Sequence, residues 1–288
     1  MKKYVKILCS AATICFLPLC LFHISTVIIG IQNALVLCAR TIIPSLFIFL
    51  ILSDCIATLL LSNREIPPKW TVFLLGNLCG FPAGAVACAR YTEAETWETK
   101  NLSYLLAFSN NASPAFLLGA IGNALFSDAR IGILLFISQT TVSFIGTVLT
   151  PVTVKVGIPR CNTDFSFFGV LEKTIHSILR ICALICLFSA ILAICRVYVS
   201  PLWYSILASV LEIGNGTFAA STLPIPYAIA LCGFACGWSG ICVHLQIFSL
   251  LKSMKVNKIH FVFCKLLQGI CTAILSFGGY KLLLLLNF

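Results

Sequence analysis

Long apolar runs, separated by short charged or Pro-rich breaks, decide what this chain can fold into. About 18 or more apolar residues in a row suffice for a helix to cross the hydrocarbon core of a bilayer, and several such runs are present. Apolar residues make up 60% of the 288 positions, and Asp, Glu, Lys and Arg only 10%, whereas soluble domains carry about 25% charge. The composition reads as an all-α, polytopic membrane protein. The net charge of +10 fits the enrichment of basic residues in cytoplasmic loops. No soluble basic domain is there to grip a phosphate backbone, so nucleic acid is not an expected partner.

The opening stretch "MKKYVKILCSAATICFLPLCLFHISTVIIG" has the charge pattern of a secretory signal. Its apolar part is too long and no small-x-small cleavage site follows, so it reads as a retained first span. The 16 cysteines lie almost wholly in apolar runs, with only Cys161 clearly in a loop. They show no CxxC; the closest pairs are Cys182/Cys186 and Cys232/Cys236. Zinc and iron–sulfur sites use tighter clusters in polar surroundings. The cysteines therefore read as small hydrophobes in a reducing setting, and neither metal nor cofactor is expected. The chain has no GxxxxGK, HExxH or GxSxG, so no catalytic constellation is expected.

The breaks divide the chain into spans at about 7–29, 41–61, 102–126, 131–153, 175–199, 225–251 and 259–287. Two apolar stretches are too short or too rich in Gly and Pro to be ordinary spans: 71–90, with "GNLCGFPAG", and 200–224, with "LEIGNG". The positive-inside rule arbitrates between re-entrant hairpins and full crossings. If both are re-entrant and the N-terminus is inside, 13 Lys and Arg fall inside and 4 outside; if both cross, the split is 10 to 7. The re-entrant arrangement fits better, and it puts Arg180 and Lys265 near span ends, where they can snorkel.

That arrangement implies about seven transmembrane helices plus two re-entrant hairpins in an inverted repeat. After an N-terminal span (1–34), the first repeat covers 35–153 with hairpin 71–90. The second covers 154–288 with hairpin 200–224. Inverted repeats with broken helices are the architecture of secondary transporters, whose substrate lies near the midplane. A short internal match agrees: Phe108 precedes Ser113–Pro114 by the same interval that separates Phe234 from Ser239–Gly240.

Polar residues in mid-span mark the candidate site. "LLAFSNNASPAFLLGAIGNALF" places Asn110, Asn111, Ser113 and Pro114 in the middle of a span. Pro114 removes an amide donor and can unwind the helix, and the Asn side chains can then grip a polar solute or a cation. The bland alternative is helix–helix hydrogen bonding, worth about 0.6–2 kcal/mol per contact. Glu212 is an intramembrane acid with no basic neighbour in sequence. It reads either as a pathway or proton site or as a hairpin tip resting among headgroups. Gly214 and Gly216 let the chain turn there. His244 reads equally as a helix–helix hydrogen bonder or a proton-linked ligand, and Asp54 has Arg64 two to three turns away as a partner. The candidate substrate-binding set is Asn110, Asn111, Ser113, Glu212, Asn215, Ser239, His244 and Gln246. Backbone or hinge roles fall to Gly80, Pro82, Gly84, Pro114, Gly214, Gly216, Gly237 and Gly240.

"GNLCGFPAGA", "LLAFSNNASPAFLLGAIG", "LEIGNG" and "GWSGICVHLQ" resemble the signature segments of the YlbJ family. These are sporulation integral membrane proteins with a nucleoside-recognition, or Gate, domain. "LCARTIIPSLFIFLIL" is similar to a further region of that family, and the likeness covers roughly 35–250. The resemblance implies a multi-pass bacterial cell-membrane protein, in the mother-cell-derived outer forespore membrane, that moves dipicolinic acid. The family is in turn similar to concentrative nucleoside transporters, in which hairpin tips and broken helices hold substrate. Glu212 and "CGFACGWSGI" match a hairpin acid and a broken-helix motif there. "GFPAGA" departs from the polar hairpin tip of nucleoside transporters. It suits an aromatic dicarboxylate, because backbone amides bind anions without side chains. The expected partners are a small-molecule substrate, the lipid bilayer, a coupling cation (H+ or Na+) and, as an open alternative, a second copy of the chain. The rival readings are a nucleoside or other small-anion transporter, and a spore-membrane scaffold that transports nothing.

Overall fold

The computed structural model describes residues 14, 16–62, 67–93, 101–151, 166–251, 254 and 256–286. These are helical throughout, with no strand among them. The helices are α1 (Phe16–Phe22), α2 (Ile24–Leu37), α3 (Ile43–Ser62), α4 (Pro68–Leu78), α5 (Ala83–Glu93), α6 (Leu102–Phe108), α7 (Ala129–Leu149), α8 (Phe167–Tyr198), α9 (Pro201–Leu211), α10 (Ile213–Ser221), α11 (Ile225–Trp238), α12 (Gly240–Leu250) and α13 (Lys258–Leu285). A π-helical turn, Cys38–Ile42, joins α2 to α3, and a longer π-helical segment, Ala115–Leu125, follows α6.

Several starts carry local signals. Pro lies at the first or second position of α4, α9 and α11, where its missing N–H is no loss. Asp128, Ser166 and Asn257 cap α7, α8 and α13 with side-chain oxygens, satisfying amide donors that a helix leaves free at its N-terminus. Among the described residues, four helical stretches are long and apolar enough to cross a membrane: Ala129–Leu149, Phe167–Tyr198, Ile225–Leu250 and Lys258–Leu285. The pair Phe16–Phe22 and Ile24–Arg40, bent by 93°, makes a fifth if it counts as one span. Ile225–Leu250 is the interior one: 72% of its apolar window is buried, against 39–44% for the other three. Leu149, Leu179 and Ile274 stand well exposed on those three, as lipid-facing side chains do.

Hydrogen bonds between residues far apart in sequence fix which helix ends lie together. Lys69 Nζ donates to the Thr150 carbonyl (2.7 Å) and Asn101 Nδ2 to the Pro151 carbonyl (2.8 Å). The Asn257 amide donates to Ser103 Oγ (2.8 Å), and Tyr104 Oη meets His260 Nδ1 (3.2 Å). The start of α4, the start of α6, the end of α7 and the start of α13 therefore share one end of the bundle. α11 runs antiparallel to α13, with Gly233 against Ser276 and Gly237 against Gly269, so α11 begins at the opposite end, beside the end of α8.

Two helical hairpins follow from this arrangement. In the first, α4 and α5 have 11 residues each. In the second, α9 and α10 have 11 and 9. At 1.5 Å per residue each arm is roughly 13–17 Å long, about half a hydrocarbon core. Hairpin one opens at the α6 end of the bundle and hairpin two at the other. The expected stretches 71–90 and 200–224 are thus hairpins, and 102–126 and 225–251 are both broken helices. One expectation fails. No loop separates spans at 7–29 and 41–61, because the helix runs on from Ile24 through the π-turn to Ser62, and Arg40 lies in that turn. α2 packs along α8, with Val27 against Ala190 and Ile194. The charged loops 94–100 and 155–165, on which the positive-inside argument leans, lie outside the described residues.

Candidate functional site

Each hairpin tip docks on the break of a broken helix. At the first junction, residues 109–114 interrupt the helix between α6 and the π-helical segment. The Ser109 carbonyl enters a slot between the arms of hairpin one, and a Cβ on Gly76 or Gly84 would collide with it. Gly80, at the tip, has φ +80°, and a Cβ there would lie 2.8 Å from that of Ser113. Only glycine holds this left-handed conformation at so close an approach. The peptide before Pro82 is cis.

The break is lined by buried polar groups that bond one another, apart from Ser109 Oγ, which has no partner. The Ala85 amide donates to Asn110 Oδ1 (2.9 Å), and the Phe81 amide to the Asn111 carbonyl (2.8 Å). Asn111 Nδ2 donates to Asn77 Oδ1 (3.1 Å) and to the Phe108 carbonyl (3.0 Å). On α7, Gln139 accepts from the Ala112 amide and donates to the Ala112 carbonyl, at 3.2 and 3.0 Å. Gln268 Nε2 donates to Asn111 Oδ1 (2.6 Å) and Ser143 Oγ (2.8 Å). Lys265 Nζ donates to the Asn110 carbonyl (2.8 Å) and Gln268 Oε1 (3.1 Å). Asn110, Asn111, Gln139, Lys265 and Gln268 are all fully buried.

At the second junction the tip is Glu212, the N-cap of α10. Its carboxylate accepts from the Gly214 amide (2.9 Å), the Asn215 amide (2.7 Å) and Asn215 Nδ2 (2.8 Å). Asn215 Nδ2 also reaches Ser189 Oγ on α8 (2.9 Å). The tip rests on the break between α11 and α12, where Ser239 and Gly240 have φ +70° and +81°. A Cβ on Gly240 would sit 3.1 Å from Glu212 Cα. Trp238 Nε1 donates to the Val210 carbonyl (2.8 Å). His244 Nε2 donates to the Trp238 carbonyl (2.8 Å), and its ring stands edge-on to Trp238 at 4.3 Å.

Of the expected residues, Asn110, Asn111, Ser113, Gly80, Pro82, Gly84 and Pro114 meet at the first junction. Glu212, Asn215, Ser239, His244 and Gly240 meet at the second. Among the described residues no hydrogen bond joins the two groups. Gln246 lies two residues beyond His244 on α12. It donates to Cys242 Sγ (3.4 Å) and leaves its own Oε1 without a partner.

Several assignments change. Lys265 does not snorkel; it is buried in the first junction. Arg180, which was expected to snorkel near a span end, lies roughly 20 Å along α8 at 1.5 Å per residue, exposed and in a groove shared with Gln246. Asp54 pairs with Arg90 of α5, through bonds of 2.6 and 2.8 Å; Arg64 is outside the described residues. Gly237 is no hinge: it lies inside α11, where a Cβ would come within 2.8 Å of the Gln268 carbonyl and Gly269 Cα. Gly214 and Gly216 do not make the turn either. They lie within α10, and Gly216 lets the arms of hairpin two close on Ser209.

The residues missed from sequence are Asn77, Gln139, Ser143, Lys265, Gln268 and Gly76. Each lies on an apolar helix other than the broken one. The legible signal was one polar or charged residue on an otherwise apolar helix face, strongest for Lys265 and Gln268, three apart on α13. Comparison with protein-family models, with curated proteins and with solved structures found no match.

Proposed function

We propose that this chain is a multi-pass membrane transporter of a small polar or anionic solute. The observation that carries this reading is the pairing of two hairpins, opening at opposite ends of the bundle, with two broken helices. Irregular backbone at membrane depth is tolerated where protein or water surrounds it, and transporters build their sites from such half-helices. In this reading the hairpins are re-entrant and the units 35–153 and 154–288 are inverted copies. Counting Ile24–Ser62 as one crossing, six spans accompany them rather than seven. Substrate binds where tip and break part, among Asn110, Asn111 and Ser113 on one side and Glu212, Asn215 and Ser239 on the other. Dipicolinic acid is the cargo that the YlbJ resemblance favours, with the outer forespore membrane as its place of action and a cation as its coupling partner.

A hairpin-one tip without polar side chains favours a carboxylate over a nucleoside, because main-chain amides are what it offers. The test is uptake of labelled dipicolinate and labelled uridine by proteoliposomes carrying the full chain. Dipicolinate should enter well above empty liposomes, and Asn110→Leu or Asn111→Leu should abolish entry per mole of inserted protein. Uridine entry alone would move the assignment to nucleosides. No entry of either would leave the scaffold reading in place.

A further inference from the structure

Lys265 is the one lysine among the described residues that is wholly buried, and its surroundings are those of a cation site. Its ammonium touches two neutral oxygens, the Asn110 carbonyl and Gln268 Oε1. The first is a consequence of Pro114. A residue four positions before a proline loses the amide that would have bonded its carbonyl, and Asn110 stands four before Pro114. The carbonyl so freed is the one that Lys265 takes. A carbonyl at an unwound break together with a side-chain amide oxygen is the ligand type by which broken transporter helices hold Na+.

No carboxylate balances this charge. Among the described residues the buried acids are Asp54 and Glu212. Asp54 bonds Arg90, and Glu212 caps α10. The titratable groups within electrostatic reach are Cys236 on α11 and His244 on α12. Asn77 of α4, Gln139 and Ser143 of α7 and the break itself offer only neutral groups. A buried, unpaired ammonium costs several kcal/mol, so its two oxygen ligands have to offset that cost or the group sheds its proton.

We propose that the Lys265 ammonium is a tethered cation occupying an oxygen-lined coupling-ion site at the first break. The coupling ion is then the proton, and Na+ is excluded while Lys265 is charged. The step is a proton transfer: one Nζ–H bond breaks, the electron pair stays on nitrogen, and the proton passes to water admitted when the hairpin-one tip parts from the break. The neutral amine no longer attracts the Asn110 carbonyl as a cation does, which loosens the junction. Coupling rests on the transporter reading; occupancy of the cradle does not.

Two measurements separate these. In detergent, the melting temperature of the full chain is compared in 150 mM NaCl and in choline chloride. Wild type should show no difference. Lys265→Ala, which vacates the cradle, should gain roughly 2–3 °C in NaCl, the size expected for an ion at about ten times its Kd. Stabilisation of wild type by Na+, or a folded Lys265→Ala indifferent to Na+, overturns the proposal. If Lys265→Ala does not fold, wild type and Lys265→Arg decide it in proteoliposomes with labelled dipicolinate. Accumulation should follow an imposed pH gradient and ignore a Na+ gradient. Lys265→Arg, which cannot shed its charge, should lose that accumulation at least tenfold. Na+-driven accumulation, or full rescue by Arg, overturns the proposal. Na+-dependent melting of Lys265→Ala with no dipicolinate entry would sink the cargo and leave the cation site standing.

Discussion

At the scale of single residues, the buried ionisable groups among the described residues sort into a tie, a cap and a lysine held by neutral oxygens. Asp54 and Arg90 form a two-point bridge between α3 and α5, with the Asp side chain 5% and the Arg side chain 23% exposed. Removing one partner of a fully buried pair costs about 3–5 kcal/mol; partial exposure of Arg90 lowers this. Asp54→Asn or Arg90→Gln should each cost about 2 kcal/mol in a detergent melting assay, and the double variant should recover part of the loss. Simple additivity of the two would show that they do not act as a pair. Glu212 takes three donors as the cap of α10. Glu212→Ala should therefore destabilise by about 1–2 kcal/mol. Glu212→Gln, which keeps one acceptor oxygen but turns its amide NH2 toward the remaining donors, should cost somewhat less. If Glu212→Gln melts like wild type and loses only gradient-driven accumulation of dipicolinate, its main role is in coupling. Sequence alone marked Glu212, Asn110 and Asn111 as out of place in lipid, since an isolated polar group there is costly. Glu212 finds its donors two and three residues on, but the partners that Asn110 and Asn111 draw from α4, α5 and α13 could not be assigned from sequence.

At the scale of elements, glycines decide how closely helices meet. Gly76 and Gly84 admit the Ser109 carbonyl, whereas a Cβ on Gly278 of α13 would meet nothing within 4 Å. Gly76→Ala should unseat hairpin one from the break, lowering thermal stability and dipicolinate uptake together. Gly278→Ala should be neutral or stabilising by up to about 1 kcal/mol, since alanine favours a helix. Equal tolerance of both changes would refute the slot. At the start of α7, the Arg130 side chain bonds Asp128 and holds its carboxyl below the usual carboxylate range. A depressed carboxyl stabilises the fold above its unfolded pKa, and that contribution fades as pH falls through the folded value. Asp128→Ala should therefore lower the melting temperature slightly at neutral pH and not at all in strong acid. The breaks at Pro114 and Gly240 were legible because Pro and Gly are helix punctuators. The run from Ile24 to Ser62 was not, because Arg40 in an apolar context reads as a loop charge until its place in a π-turn is seen.

At the scale of the whole molecule, the hairpins open at opposite ends, and this sets the handedness of access. If the bundle spans a membrane, Pro151 and Thr222, both exposed, lie on opposite sides. Pro151→Cys and Thr222→Cys, in a background cleared of reactive thiols, should react with an impermeant maleimide from opposite faces. Labelling from the same face would refute the re-entrant arrangement and with it the inverted repeat.

What the sequence determined by itself is the apolar surroundings, the helical class and the breaks at Pro114 and Gly240. Hydropathy, Pro and Gly act locally and are read locally. What only the tertiary structure decided is which polar groups share a junction. Lys265 lies 155 residues from the carbonyl that it holds, and Gln268 lies 157 from Asn111 and 125 from Ser143. Such pairings follow from helices packing over long sequence separations, and in a low-dielectric interior each donor must find its acceptor in three dimensions.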